Sequence, residues 1–315
     1  MLRKFRNDSE DHMQRQIRAA IERHGAELHE KVRIADLIDI RKLDRRELGT
    51  YALQAHFDFV LIDESQEAVV AIEFDGPGHN RNNDHKKDSI CLQADLPLFR
   101  VYGFEQVREI NSITLARYLV ELVFYARVFL QMKMESTIPP DEPFMLSGFL
   151  KPDAKHIFDS EFDFVANANS KLTRALQKRG LADDTTPHLS IGRLTLRAPD
   201  GRLRSFISIN SSKGPIVGTA SLRVTLASPG FLADLGTIAA EIAEFAIGMA
   251  ADDLIENIRL IADGFGHVVT SADEVLAELR SLGPQGFTFV IGGGGSRTDA
   301  DLIAAFAAGK NGKLL

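Results

Sequence analysis

His56–Asp88 reads HFDFVLIDESQEAVVAIEFDGPGHNRNNDHKKD, and the fold depends on how this stretch divides. Two apolar runs, His56–Ile62 and Ala68–Asp75, each carry carboxylates where an ordinary strand buries something apolar. The polar residues Asp63–Glu67 between them are few enough to close an antiparallel hairpin. Side chains alternate faces along a strand, so Glu73 and Asp75 share one side. If Asp58 faces that side from the neighbouring strand, three carboxylates converge. They repel one another and resist desolvation unless a cation lies between them. Hard oxygen ligands of this kind suit Mg²⁺, which one or two carboxylates can hold while leaving sites for water and phosphate. Gly76-Pro77-Gly78-His79 comes next, then a polar helix start with Lys86, Lys87 and Asp88.

Upstream, Asp8-Ser9 suits a helix N-cap, with Glu10 and Asp11 in the first turn where the helix dipole favours acids. Met13, Ile17, Ala20 and Ile21 recur at helical spacing and give that helix one apolar face. On this reading Glu10 is a surface acid. Glu30–Asp36 alternates like a short strand. The following residues, with Arg41-Lys42 and Arg45-Arg46, read as a solvated charged face; the alternative is a basic loop that holds phosphates. Downstream, a helix is expected over Asn83–Ala94 and a strand at Leu98–Tyr102. Arg100 lies inside that apolar strand and needs a partner: an active-site carboxylate, a substrate phosphate or a structural counter-ion. A long helix is expected from Asn111-Ser112 to Met132.

FDFVLID, AIEFDGPGH and KKDSICLQADLPLFRV, in this order, resemble Vsr-like (very-short-patch-repair-like) nucleases of the PD-(D/E)XK superfamily, and among them a bacterial family of domains of unknown function. The resemblance runs from about Asp8 to Phe104. It implies an α/β fold with a restriction-endonuclease-like αβββαβ core, a mixed sheet flanked by helices. It assigns Asp58 and Glu73 as metal ligands, and it makes Glu10 the helix-borne glutamate of the pattern. Asp75 stands where the superfamily's E-x-K motif carries its lysine, so Asp75 becomes a further metal ligand or the anchor of a basic residue. The positive charge then falls to Lys87, next to Asp88 on the following helix. His79 becomes a general acid or base, or a phosphate contact.

The chain has 315 residues, enough for two domains of ordinary size. Hydrophobic content of 44% and charged content of 26% are those of a soluble globular protein. A formal charge of −7 argues against a surface that coats nucleic acid indiscriminately, though a local basic groove or a metal-bridged contact is compatible with it. The single cysteine, Cys91, excludes an intramolecular disulfide framework and fits a reducing compartment. MLRKFRNDSEDH has basic residues but no apolar core after them, so no signal peptide is expected. Leu115–Leu130, the most apolar helix, is interrupted by Arg117, Glu121 and Arg127 and is too short to span a bilayer. A cytoplasmic protein without a membrane partner is expected.

The organisation expected is a nuclease-like domain over 1–136, a linker over 137–143 and a second α+β domain over 144–315. The linker is read from its paired prolines and acids, STIPPDEP. In the second part, Leu189–Arg197 and Arg202–Asn210 flank Pro199-Asp200-Gly201 as a hairpin, and Ile216–Leu226 reads as another strand. Phe231–Asp263 and Ser271–Ser281 read as helices. Gly292–Gly295, between a strand and a helix at Asp299–Ala308, lacks the spacing and lysine of a phosphate-cradling loop and reads as a tight turn.

The function expected is that of a Mg²⁺- or Mn²⁺-dependent DNA endonuclease or nicking enzyme in defence or repair. Its site residues would be Asp58, Glu73, Asp75, Lys87 and His79, with metal on Asp58, Glu73 and Asp75. The second part would serve a target, a protein partner or a second copy of the chain. The alternative is an inactive nuclease fold that binds nucleic acid or assembles with other proteins.

Overall fold

The runs on either side of Asp63–Glu67 pair as the hairpin that their alternation demands. The computed structural model describes residues 8–75, 81–102, 108–151, 154–155, 160–183, 191–198, 201–228, 230, 235–268 and 288–293. His79, Ser271–Ser281 and Asp299–Ala308 lie outside them. Contacts divide the chain into two units: Met1–Leu146 with Arg223–Ile238, and Ser147–Leu222 with Ala239–Leu315.

The first unit is mixed α/β. Its elements run α1 (Asp8–Ile21), β1 (Glu27–Arg33), the short helices α2 (Ile34–Leu37) and α3 (Arg46–Ala52), β2 (His56–Ile62), β3 (Ala68–Asp75), α4 (Arg81–Ala94) and β4 (Leu98–Tyr102). The two-residue strands β5 (Glu109–Ile110) and β6 (Ile113–Thr114) follow, then α5 (Leu115–Met134). β1, β2 and β3 pair antiparallel in sequence, and β4 lies parallel to β3. Val70, Ala71 and Ile72 of β3 are buried at consecutive positions, as are Leu98 and Phe99 of β4. Consecutive burial means that both faces of the sheet are covered, and this is why these strands read as continuous apolar runs. On one face Ile90 and Cys91 of α4 join Phe57, Val60, Ala71 and Leu98 in a single cluster. α1 packs along α5. There the fully buried Glu121 meets Arg117, Arg23 and His24 at 3.4, 3.3 and 2.8 Å, the partners that a buried charge requires.

The turn of the central hairpin is built on Asp63. Its Oδ1 accepts from the Ser65 and Glu67 N–H groups at 3.0 and 3.1 Å, and Arg127 donates to Oδ2 at 2.8 Å. Partial burial pushes the Asp63 carboxyl up, but Arg127 and the backbone donors outweigh this and hold it below the usual range. A depressed folded pKa adds stability above the unfolded value, and this is lost as pH falls through the folded one. Asp63→Ala should therefore lower stability by about 1 kcal/mol at neutral pH, and by less near pH 3. Urea unfolding of wild type and mutant at the two pH values checks this.

The strand expected over Glu30–Asp36 runs instead over Glu27–Arg33, with Ile34–Leu37 helical as α2, and two further boundaries differ from expectation. The long helix does not start at Asn111-Ser112. Both residues have positive φ, 52° and 66°, and they form the two-residue turn of the β5–β6 hairpin. Asparagine tolerates the left-handed region that such turns require. α5 starts instead after Thr114, whose hydroxyl accepts from the Arg117 N–H at 3.2 Å. The second difference is in Ile216–Leu226, which splits at Arg223. Val224–Leu226 becomes β10 and pairs antiparallel with β4, and it completes the order β1-β2-β3-β4-β10. The expected 144–315 domain thus yields residues 223–238 to the first unit. A buried strand cannot leave one edge of backbone groups unpaired, and β10 supplies the partners for β4. Arg223 caps the junction with its guanidinium 4.1 Å from the centre of the Tyr102 ring.

In the second unit β7 (Ile191–Arg197), β8 (Leu203–Ser211) and β9 (Gly214–Leu222) form an antiparallel sheet, with β11 (Thr288–Gly293) beside β7. The β7–β8 pairing is the hairpin expected around Gly201, whose φ is 82°. The glycine run begins inside β11 rather than after it. α6 (Phe164–Lys178) starts at Asp163, whose side chain accepts from the Ala166 N–H, and the long α7 covers Leu235–Ala262. Among the described residues no helix is long and apolar enough to cross a membrane.

Candidate active site

The β2–β3 ladder runs from Ile62↔Ala68 to Phe59↔Ile72. Just beyond it the Asp58 side chain replaces a backbone acceptor, and its Oδ2 takes the Phe74 N–H at 3.0 Å. The other oxygen, Oδ1, is 2.6 Å from Lys31 Nζ, which also reaches Glu10 Oε1 at 2.8 Å. Asp58 is thereby joined to α1 and β1. Lys31 has φ +51° in the middle of a strand, and the β1–β2 pairing passes over it between Glu30↔Phe59 and Val32↔Phe57. A left-handed conformation costs a non-glycine residue about 1 kcal/mol or more and persists only where its surroundings hold it. Burial alone would lower the Lys31 pKa, but the hydrogen bonds and charges of Asp58 and Glu10 outweigh it and raise the value.

Glu73 is buried, and one of its oxygens, Oε2, lies 2.6 Å from Lys87 Nζ. Lys87 also donates to the His56 carbonyl at 2.8 Å. Burial raises the Glu73 carboxyl above the usual range. Lys87 opposes that shift, Asp58 adds to it and Arg100 opposes it. The influence of Asp58 places the two carboxylates within electrostatic reach of each other. Glu73 Oε1 is buried without a hydrogen-bond partner among the described residues. Nearby, burial and the charges of Glu73 and Asp84 push the Tyr51 hydroxyl up to about 12.

Asp75 lies on the same side of β3 as Glu73 but meets different neighbours. Its Oδ2 is 3.8 Å from Arg100 Nε, and its charge helps raise the hydroxyl of Tyr102, the residue beside it in the β3–β4 register. Arg100 donates to Asp88 Oδ1 at 2.6 Å and to the Asp84 carbonyl at 3.3 Å. The partner that Arg100 needed is thus a network: Asp88 of α4 directly, and Asp75 more loosely. Burial pushes the Asp88 carboxyl up, against the pull of Arg100.

Of the residues expected to share a site, Asp58, Glu73 and Lys87 gather, and Asp75 lies beside them in the Arg100 network. Each of the three carboxylates faces a cation: Lys31, Lys87 or Arg100. Among the described residues no group of three or more histidine, cysteine, aspartate or glutamate side chains is arranged to hold a metal. The two candidate lysines of α4 separate clearly. Lys86 turns to Glu47 at 3.1 Å and lies 5.5 Å from the centre of the Tyr51 ring, while Lys87 turns to Glu73. In the basic loop, Arg41 bonds to Asp39 at 2.8 Å and Arg45 lies 3.7 Å from Asp44, with both arginines exposed, as a solvated charged face would be.

Lys31 is the site residue that the sequence reading missed, and Glu10 proves to be half-buried against it rather than a surface acid. The available signal was the charged pair Glu30-Lys31 within a strand of otherwise alternating pattern. Only the register of β1 against β2 turns that signal into a contact with Asp58.

Residues 3–114 match the family model DUF2726, described as a protein of unknown function. No curated protein matches the chain, and no solved structure does.

Proposed function

We propose that the chain is a metal-dependent endonuclease or nicking enzyme that hydrolyses phosphodiester bonds in DNA. The observation that carries this reading is the grouping of Asp58, Glu73 and Lys87 from two adjacent strands and the next helix. The element order helix, three strands, helix and strand around a mixed sheet also supports a restriction-endonuclease-like core, in line with the resemblance of residues 8–104 to Vsr-like nucleases.

The donor set fits a hard divalent cation. Asp58 and Glu73 are oxygen ligands, and the buried Glu73 Oε1 has lone pairs with no donor among the described residues. Asp58 and Glu73 would hold Mg²⁺ or Mn²⁺, with Asp75 as the further candidate. Such an ion lowers the pKa of bound water and neutralises phosphate charge. The protein's own residues do the rest. Lys87 opposes the rise that burial imposes on Glu73 and sets a positive charge beside that carboxylate. Arg100 ties Asp75 to Asp88 and so fixes β3 against α4. The second unit serves target or partner binding, and the single buried thiol accords with a cytoplasmic setting.

Full-length protein incubated with supercoiled plasmid and Mg²⁺ or Mn²⁺ should give nicked or linear product. Chelator should stop the reaction, and Asp58→Asn should abolish it. A second reading draws on the cation already facing each carboxylate: a nuclease fold that binds nucleic acid without cutting it. Plasmid left intact under both metals, but retarded by the protein in a gel, would replace the first reading with the second.

A further inference from the structure

Lys31 is the cation for which the proposed chemistry has no use, yet it is held at the carboxylate that the chemistry needs first. Asp58 has two bound partners of different kinds. The Phe74 N–H belongs to the backbone of β3 and cannot leave without breaking the strand. Lys31 Nζ sits at the end of a flexible stem whose side chain is 31% exposed, so it can leave. The geometry points to Lys31 as a resident cation on Asp58, one that a divalent metal must displace to bind there. This inference rests on the metal site proposed above.

Three features give the exchange a physical basis. Asp58 and Glu10 both lie within hydrogen-bond distance of one ammonium, so without it two carboxylates repel across the gap between α1 and β2. Glu10 can retain the ammonium after Asp58 is given up, so displacement needs only a short shift of the side chain. Glu73 is arranged differently: Lys87 is on one oxygen, and the other has no donor among the described residues. One oxygen of Glu73 is thus without a bonded cation among the described residues, while the position on Asp58 is held. Lys31 keeps the fold intact without metal, and the same contact keeps metal affinity below what the carboxylates alone would give.

The test compares wild type with Lys31→Met, which keeps length and removes charge, with Lys31→Arg, which keeps charge, and with Asp58→Asn. Mn²⁺ binding to the full-length protein is read by calorimetry, and melting temperature is read with metal and with chelator. Lys31→Met should melt lower than wild type in chelator yet bind Mn²⁺ on the order of tenfold more tightly, because a positive charge beside the ion has been removed. Lys31→Arg should bind as wild type does, and Asp58→Asn should not bind. A purely structural lysine would give a mutant with weaker metal binding, not tighter. Equal or weaker binding by Lys31→Met, with binding still lost in Asp58→Asn, overturns the resident-cation role and leaves the metal site standing. Unchanged binding in Asp58→Asn removes the site, and this inference with it. If Lys31→Met is unfolded in chelator, recovery of its circular dichroism on adding Mn²⁺ supports the role, and no recovery overturns it.

Discussion

Lys87→Ala should lower plasmid cleavage on the order of a hundredfold while Lys86→Ala leaves it nearly unchanged. Phosphodiester hydrolysis builds negative charge on the phosphate oxygens, and the strand position that could carry a compensating lysine holds Asp75. The lysines of α4 are adjacent in sequence, but only Lys87 reaches Glu73, at 2.6 Å, while Lys86 pairs with Glu47 across to α3. Loss of Lys87 also acts through Glu73 itself. Burial already raises the Glu73 carboxyl, Lys87 is the strongest opposing influence, Arg100 is the weaker one, and Asp58 adds to the rise. Without Lys87 the carboxyl titrates higher still, so the acid limb of the rate profile should move to higher pH in the mutant. A pH profile of kcat/KM for wild type, Lys87→Ala and Lys86→Ala measures both effects. Wild-type cleavage by Lys87→Ala would exclude it as the charge-bearing residue.

The largest effect on stability is expected in the second unit, at Gly218 of β9. A Cβ placed there would lie 2.1 Å from the Ala250 carbonyl oxygen, 2.4 Å from the Leu254 nitrogen and 2.6 Å from Leu254 Cβ. Two of these atoms are helix backbone, which cannot yield as the end of a flexible side chain can. The approach is fixed from both sides. Asp253 accepts from the Thr219 N–H at 2.7 Å, and Asn257 donates to the Val217 carbonyl at 2.8 Å. Gly218→Ala should therefore cost roughly 3 kcal/mol or more through overpacking, and Gly218→Val should prevent β9 from docking on α7. Urea unfolding followed by circular dichroism reads the loss. An alanine mutant within the error of wild type would mean that strand and helix can separate freely.

The strands and their hairpins were legible because their causes are local, whereas the mixed sheet was expected only from the resemblance. Alternation and burial fix a strand within a few residues, and Asp63 closes its turn with donors two and four residues away. The same local logic misplaced the start of α5, because Asn111-Ser112 suits a helix cap and a two-residue turn alike. Positive φ at both residues decides between them, and a pattern of residue types does not carry φ. The split at Arg223 was hidden for another reason. Ile216–Leu226 reads as one strand-like run, and the edge that each half joins is set by which backbone groups elsewhere lack partners.

At the candidate site the sequence by itself determined the residue types: Asp58, Glu73 and Asp75 on two strands of one hairpin, with Lys87 on the following helix. It also determined that Glu73 and Asp75 share a face, since period-two alternation requires it. The tertiary structure decided which cation meets which carboxylate. The Lys31–Asp58 contact joins residues from two strands, and Glu10 enters it from a helix earlier still. Lys87 and Arg100 divide Glu73 and Asp75 between them according to the register of β3, β4 and α4. Charge pairing acts over a few ångströms in space, so partners far apart in the chain are named only once the strands are in register.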